Sequence, residues 1–328
     1  MSEASGAERA GSSWVPHPWV TAWQGKLGFG LGVLSPRTGI ADAITHARLA
    51  EELGLDSFWV QDHPLSGPDC WSTLTALAAT TTRLRLGSFV SCIYYRSPAH
   101  LARLAADVDR LSGGRLVLGV GCGDAPSEFA RLGIDWPPVR ERQAALEETI
   151  AIVAGLWGSE PFTFEGAHFR VREASLRAGP VQQPRVPLLI GGGGERVTLR
   201  QVAQYADMSN FGPTAQTGGT ATAEGMPAKY AALRRHCDAL GRPYESVLRS
   251  YYAHVVLAET PATLAEKLRA YHPSSVPADQ PTSLEDAVAV YRGMVQAGVQ
   301  YFIAAVRGGD VETIRLFAER VIPALQAA

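Results

Sequence analysis

Asp62 and His63 stand together after a short apolar run, Ser57 to Val60, and Pro64 follows them. An imidazole takes or gives a proton near neutral pH, so a histidine at a strand end suits a reaction that moves a proton with its bond change. Asp62 could orient that ring or bond a cofactor. A structural turn before proline is the bland alternative, and the strand-end position weighs against it. The second feature is Gly191-Gly192-Gly193-Gly194, then Glu195-Arg196 and a helical stretch. Residues without side chains let backbone N–H groups approach an anion where a helix dipole favours negative charge, so a phosphate is expected there. A tight turn asks for glycine at one or two positions, not four in a row.

A third cluster is Gly119-Val120-Gly121-Cys122-Gly123-Asp124. As a dinucleotide fingerprint it is weak, because Pro126 follows quickly and no acidic residue is placed after a further strand. Small residues here instead clear room for a flat ring against backbone, and Asp124 offers a carboxylate. Cys92 and Cys122 could line the same pocket, although a small buried thiol without chemistry is the commoner case. The four cysteines show no CxxC pair or zinc spacing, and no metal is expected.

These residues need a frame that gathers strand ends. Short apolar runs alternate with longer amphipathic stretches, the pattern of βα units around a parallel sheet. Candidate strands are Leu27 to Leu31, Ser57 to Val60, Leu84 to Val90, Leu116 to Val120, Pro187 to Ile190, Met208 to Phe211, Tyr251 to Leu257 and Tyr301 to Val306. Helices are expected at Ile40 to Leu53, Pro98 to Leu111, Arg140 to Leu156, Arg196 to Ala206, Pro227 to Leu240, Leu284 to Ala297 and Val311 to Leu325. Eight such units predict a single (β/α)8 TIM barrel with its chemistry at the C-terminal strand ends. Phe162 to Pro184 reads as an extended insertion before the fifth strand, turning at Glu165-Gly166, and Pro273 to Thr282 as a loop. Gly212 to Gly225, on the active-site side, could be a mobile lid or an ordinary disordered loop.

The organisation is then a partly disordered N-terminal arm, residues 1–25, and a barrel over 26–328. Trp14, Trp19 and Trp23 are costly to leave in water, so the arm is expected to pack on the barrel or on a second subunit. A net charge of -2 with 46% hydrophobic and 19% charged residues points to small-molecule ligands rather than nucleic acid or membrane. With no signal-peptide pattern, cytoplasmic residence is the default.

Taken in order and spacing, several segments resemble the luciferase-like monooxygenase superfamily, and within it the branch that uses the deazaflavin F420. They are Ala47 to His63 (ARLAEELGLDSFWVQDH), Leu86-Gly87, Leu111 to Leu116 (LSGGRL), Phe162 to Gly166 (FTFEG) and Pro187 to Arg196. The resemblance runs from about Lys26 to the C-terminus. It implies a flavin or deazaflavin held against a bulge in the third strand, with a non-proline cis peptide near Phe89-Val90 and Ser91 beside it. It further implies cofactor contacts from Asp62, from Gly121, Cys122, Gly123 and Ser127, and from Gly191 through Glu195 and Arg196. F420 enzymes acting on sugar phosphates carry glutamate where Asp124 stands and asparagine where Ser127 stands, which retracts the acid by about one methylene. The expected function is F420-dependent hydride transfer to or from a small organic substrate, with His63 assisting the proton, Asp124 a further acid, and Trp71, Tyr94 and Tyr252 shaping the substrate pocket. Alternatives are an FMN-dependent monooxygenase and a non-catalytic cofactor-binding barrel. A homodimer is also implied.

Overall fold

The structure, a computed structural model, describes residues 15–34, 39–269 and 280–327. Its main sheet is a closed parallel barrel. The strands are β1 (Gly28–Leu34), β2 (Ser57–Val60), β3 (Arg85–Ser88) resuming as β4 (Ser91–Cys92), β5 (Leu116–Gly121), β8 (Leu188–Gly191), β9 (Met208–Phe211), β10 (Leu248–His254) and β11 (Tyr301–Arg307). Pairing of β3 with β5 closes the ring. The eight expected strands are all present. The seventh lies three residues earlier than expected, because Val255 to Ala258 continue the apolar run past the strand, Val256 and Ala258 into a small cluster with Leu264.

Around the barrel lie α2 (Ile40–Glu52), α3 (Cys70–Thr80), α4 (Pro98–Leu111), α5 (Pro126–Leu132), α6 (Val139–Leu156), α7 (Thr198–Tyr205), α8 (Met226–Ala239), α9 (Pro261–Arg269), α10 (Leu284–Gln296), α11 (Val311–Leu316) and α12 (Ile322–Gln326), while α1 (Pro18–Thr21) belongs to the arm. Local chemistry sets their ends. Ser97 accepts from the His100 amide and Pro98 opens α4, an N-cap with proline at the first turn. The last expected helix is interrupted by a π-helical turn at Phe317–Val321, just before Pro323, which has no N–H to carry on the ladder. Sequence reading did not name α3, whose largely apolar make-up hides its helical period, α9, or the short α1 and α5.

The insertion folds into a hairpin of β6 (Phe162–Glu165) and β7 (Arg170–Ala174). Glu148 on α6 holds its turn by accepting the amides of Ala167, His168 and Phe169. The loop expected at Pro273 to Thr282 falls outside the described residues up to 279, as do Met1 to Trp14.

Two apolar layers follow from the period of two along each strand. Phe29, Leu31, Phe58 and Leu86 belong to the cluster shared with the helices, whereas Trp59, Val117, Leu189, Met208, Leu248 and Ile303 form a second one. Gly87 has no room for a side chain because the Trp59 ring occupies that space, with a Cβ placed 2.1 Å from it. The arm seals the N-terminal mouth. Trp19 and Trp23 set their edges on Tyr301 at 6.2 and 5.5 Å between centroids, Arg85 covers Trp19 at 4.8 Å, and His17 donates from Nε2 to the Arg185 carbonyl at 2.9 Å. With that end filled, the opposite end is the open one.

Candidate active site

The strand interrupted between β3 and β4 shapes the open end. Leu86 and Gly87 face Leu116 and Val117, and an unbroken register would set Ser91 against Gly121; it faces Val120 instead. One extra residue is therefore bulged out, and the Phe89–Val90 peptide within the bulge is cis. The expected cis step is where the resemblance placed it. Phe89 stacks on Tyr252 at 5.0 Å and meets the edge of Trp59 at 5.8 Å, so the bulge is the floor of a cavity resting on the inner core. That cavity has a volume of about 810 Å³.

Its walls come from the ends of and loops after β2, β5, β8 and β9, from the first turns of α6, and from Tyr252 and His254 of β10. After β2, Asp62 is 4% exposed, and its Oδ2 accepts from Arg96 Nη1 at 2.6 Å and from the Cys92 amide at 3.2 Å. Burial pushes the Asp62 carboxyl up, Arg96 and the Cys92 amide pull it back, and the net displacement is upward. Arg96 also grips Asp69, the N-cap of α3, at 2.8 Å. Through Oδ2 Asp62 ties the bulge to β2, and the residue also lines the cavity. His63 is oriented by a different carboxylate: its Nδ1 lies 2.9 Å from Glu128 Oε2 on α5, Tyr95 donates to that same oxygen at 2.8 Å, and the Leu65 amide donates to Oε1 at 2.9 Å.

On the β5 side, Gly121, Cys122, Gly123 and Asp124 line the cavity. Arg142 of α6 donates from Nη1 to the carbonyls of Cys122 and Gly123 and lies 3.7 Å over the Trp136 ring. Burial raises the Cys92 thiol to about 12 and pushes Cys122 upward, so both are protonated thiols near neutral pH. Across the cavity, Gly191, Gly192 and Gly194 contribute lining. The backbone of Gly193 is turned to the loop after β9, donating to the Thr217 carbonyl at 2.8 Å. That loop, residues 214–218, lines the cavity itself.

Several expected positions lie elsewhere. Trp71 is 2% exposed in the helix layer and donates to Ser91 Oγ at 3.0 Å, so neither it nor the Ser91 hydroxyl shapes the cavity. Tyr94 packs its edge on Phe129. Ser127 is exposed outside the lining, as is Arg196; Glu195 pairs with Lys229 at 3.0 Å while its carbonyl accepts from His236. Helix α7 begins only at Thr198, which turns these two residues away from the glycine run. Tyr252, Asp124 and His63 do line the cavity, joined by His254 and by Gln61, Gln143 and Asn210, the last three of which sequence reading did not assign to it. Among the described residues no group of three or more His, Cys, Asp or Glu is placed to hold a metal, and no helix is long and apolar enough to cross a membrane.

Residues 24–301 match the family model of luciferase-like monooxygenases. The chain belongs to that family. Among curated luciferase-like relatives, an F420-dependent glucose-6-phosphate dehydrogenase of Kineococcus radiotolerans is 34% identical over 255 residues, covering 74% of this chain and 72% of its own. One of the same description from Amycolatopsis mediterranei is 30% identical over 329 residues, covering 88% and 96%. Solved structures share the barrel: an F420-dependent secondary alcohol dehydrogenase in complex with an F420-acetone adduct superposes with a TM-score of 0.78 at 21% identity, over 92% of this chain and 99% of its own. The FMN-bound oxygenating constituent of 3,6-diketocamphane monooxygenase from Pseudomonas putida does so at 0.73 and 15%, over 91% and 98%. The luciferase-like chain described here is accordingly a TIM-barrel oxidoreductase.

Proposed function

We propose that this chain is an F420-dependent oxidoreductase that exchanges a hydride between the deazaflavin and a small organic substrate, with His63 handling the accompanying proton. The observation that carries the reading is the convergence, in one cavity, of the bulged Phe89–Val90 floor, the side-chain-free walls at Gly121, Gly191, Gly192 and Gly194, and His63. The residues fit a flat ring with a phosphate-bearing tail. At the floor a Cβ on Gly121 would lie 2.6 Å from Val90 Cγ2, so the wall is bare where a ring would be supported. Gly191, Gly192 and Gly194 would hold the phosphate, and Asp62, through Arg96 and Cys92, keeps the bulge in place.

When bound, the deazaflavin supplies hydride chemistry, and the protein supplies position and electrostatics. Oxidation of a hydroxyl-bearing carbon releases a proton alongside the hydride, and reduction of a carbonyl consumes one. His63 takes or returns it at the cavity face, and Asp124 offers a second carboxylate on the β5 wall. Tyr252 and Trp136 give the substrate apolar surface. A homodimer belongs to the same proposal on the strength of the family resemblance, and cytoplasmic residence belongs to it as the default expectation.

Titrating the purified protein separately with F420 and FMN, following absorbance and fluorescence, tests the assignment. F420 is expected to bind and to turn over under anaerobic conditions. Tight FMN binding without F420 binding, or turnover only with reduced FMN and oxygen, overturns it.

A further inference from the structure

Glu128 lies in the first turn of α5, 65 residues from His63, and is 6% exposed. A carboxylate this enclosed keeps its charge only if its lone pairs are met. Three donors meet them. Burial pushes its proton affinity up, while His63, the Leu65 amide and the Tyr95 hydroxyl pull it down, and the net displacement is downward. An ionised carboxylate accepts and cannot donate, so the ring nitrogen facing it must carry the hydrogen. That settles the imidazole: Nδ1 is N–H, and Nε2 holds the free lone pair of the neutral ring.

We propose that Glu128 is the positioning residue for His63, fixing the Nδ1–H tautomer so that Nε2 is the nitrogen that exchanges protons with the substrate, and that Tyr95 holds Glu128 in place from the other side. The proposal rests on the reading of His63 as the proton-handling group. Asp62, the sequence neighbour expected to orient the ring, has its Oδ2 taken by Arg96 and Cys92. The orienting carboxylate instead comes from the wall after β5, so the proton site is assembled only when the β2 and β5 loops are both in place. Oxidation of a substrate hydroxyl moves its proton to Nε2, giving an imidazolium stabilised by the Glu128 carboxylate; reduction runs the same transfer backwards.

The test compares His63→Ala, Glu128→Gln and Tyr95→Phe in the F420-loaded enzyme, with the His63 ring tautomer read by 15N–1H NMR in the cofactor-free protein. Glu128→Gln is expected to lower kcat by about 100-fold or more with KM within about threefold, and to lose the single Nδ1–H tautomer, as removal of an orienting carboxylate behind a histidine does elsewhere. Tyr95→Phe should lose about 3- to 10-fold in kcat while keeping the tautomer. Full kcat and an unchanged tautomer in Glu128→Gln, with His63→Ala inactive, would overturn the positioning role and leave the His63 reading standing. Wild-type turnover in His63→Ala removes the parent reading and the proposal with it. If Glu128→Gln fails to fold, an unaltered kcat in Tyr95→Phe overturns the proposal by itself.

Discussion

A methyl group at Gly121 would lie 2.6 Å from Val90 Cγ2, and Val90 cannot retreat because the bulge and the inner core lie behind it. Gly121→Ala should therefore push Val90 into the space where the ring is proposed to lie. Overpacking of this kind costs about 1–3 kcal/mol. Here the cost falls on binding rather than folding, so F420 affinity is expected to drop by roughly 5- to 150-fold, with the melting temperature little changed. Equal F420 affinity for the variant and the wild type, measured by fluorescence titration, would contradict the placement. The glycine was legible in the sequence as a cleared wall. Val90 as the atom that clears it against was not, since that contact requires the one-residue slip between β3 and β5.

Among the elements, the loop after β9 is seated on the glycine run by backbone alone. A Cβ on Gly193 would come 2.4 Å from the Gly218 carbonyl oxygen, and one on Gly218, whose φ is 74°, would come 2.6 Å from the Gly194 amide. The glycine run thus seats the neighbouring loop as well as offering the bare wall proposed for an anion, and only the second was readable from type and spacing. Gly218→Ala meets both a left-handed backbone and a backbone collision, an expected local cost of about 1–3 kcal/mol. Hydrogen exchange across residues 214–225 should quicken while the barrel strands stay protected. Unchanged exchange in that loop would show that it does not depend on the seat. The stretch expected as a lid or a disordered loop lines the cavity through Gly212 and Thr214 to Gly218, with short 3₁₀ turns at Ala215–Thr217 and Ala223–Gly225.

For the molecule as a whole, the arm makes stability depend on acid. His17 is 3% exposed, accepts the Trp19 amide at Nδ1 and donates from Nε2 to Arg185, so no lone pair is left for a second proton. Burial first, then Arg85, lowers its pKa from 6.5 to about 4. The unfolded chain binds the proton that the folded chain refuses, so stability is full above about pH 6.5 and falls as pH drops towards 4, by on the order of 3 kcal/mol. Asp56, pushed up to about 6 by burial, slopes the other way, so the His17 contribution is read as a difference between variants. His17→Gln can keep both hydrogen bonds and should flatten that limb in urea midpoints measured from pH 4 to 7; an identical pH slope in the variant would place the acid sensitivity elsewhere. The sequence by itself determined the βα order and the strand-end locations of His63, Asp124 and the glycines, and its family resemblance implied the cis step near Phe89–Val90. Apolar period, glycine and proline act on the nearest few residues, and the family motifs carry their spacing with them. Only the tertiary structure decided that Glu128 rather than Asp62 turns His63, that Arg142 reaches back to the β5 loop, and that Trp71, Tyr94, Glu195 and Arg196 stand aside. Those partners lie far apart along the chain, or on the far side of a helix start, and barrel closure alone brings them together or separates them.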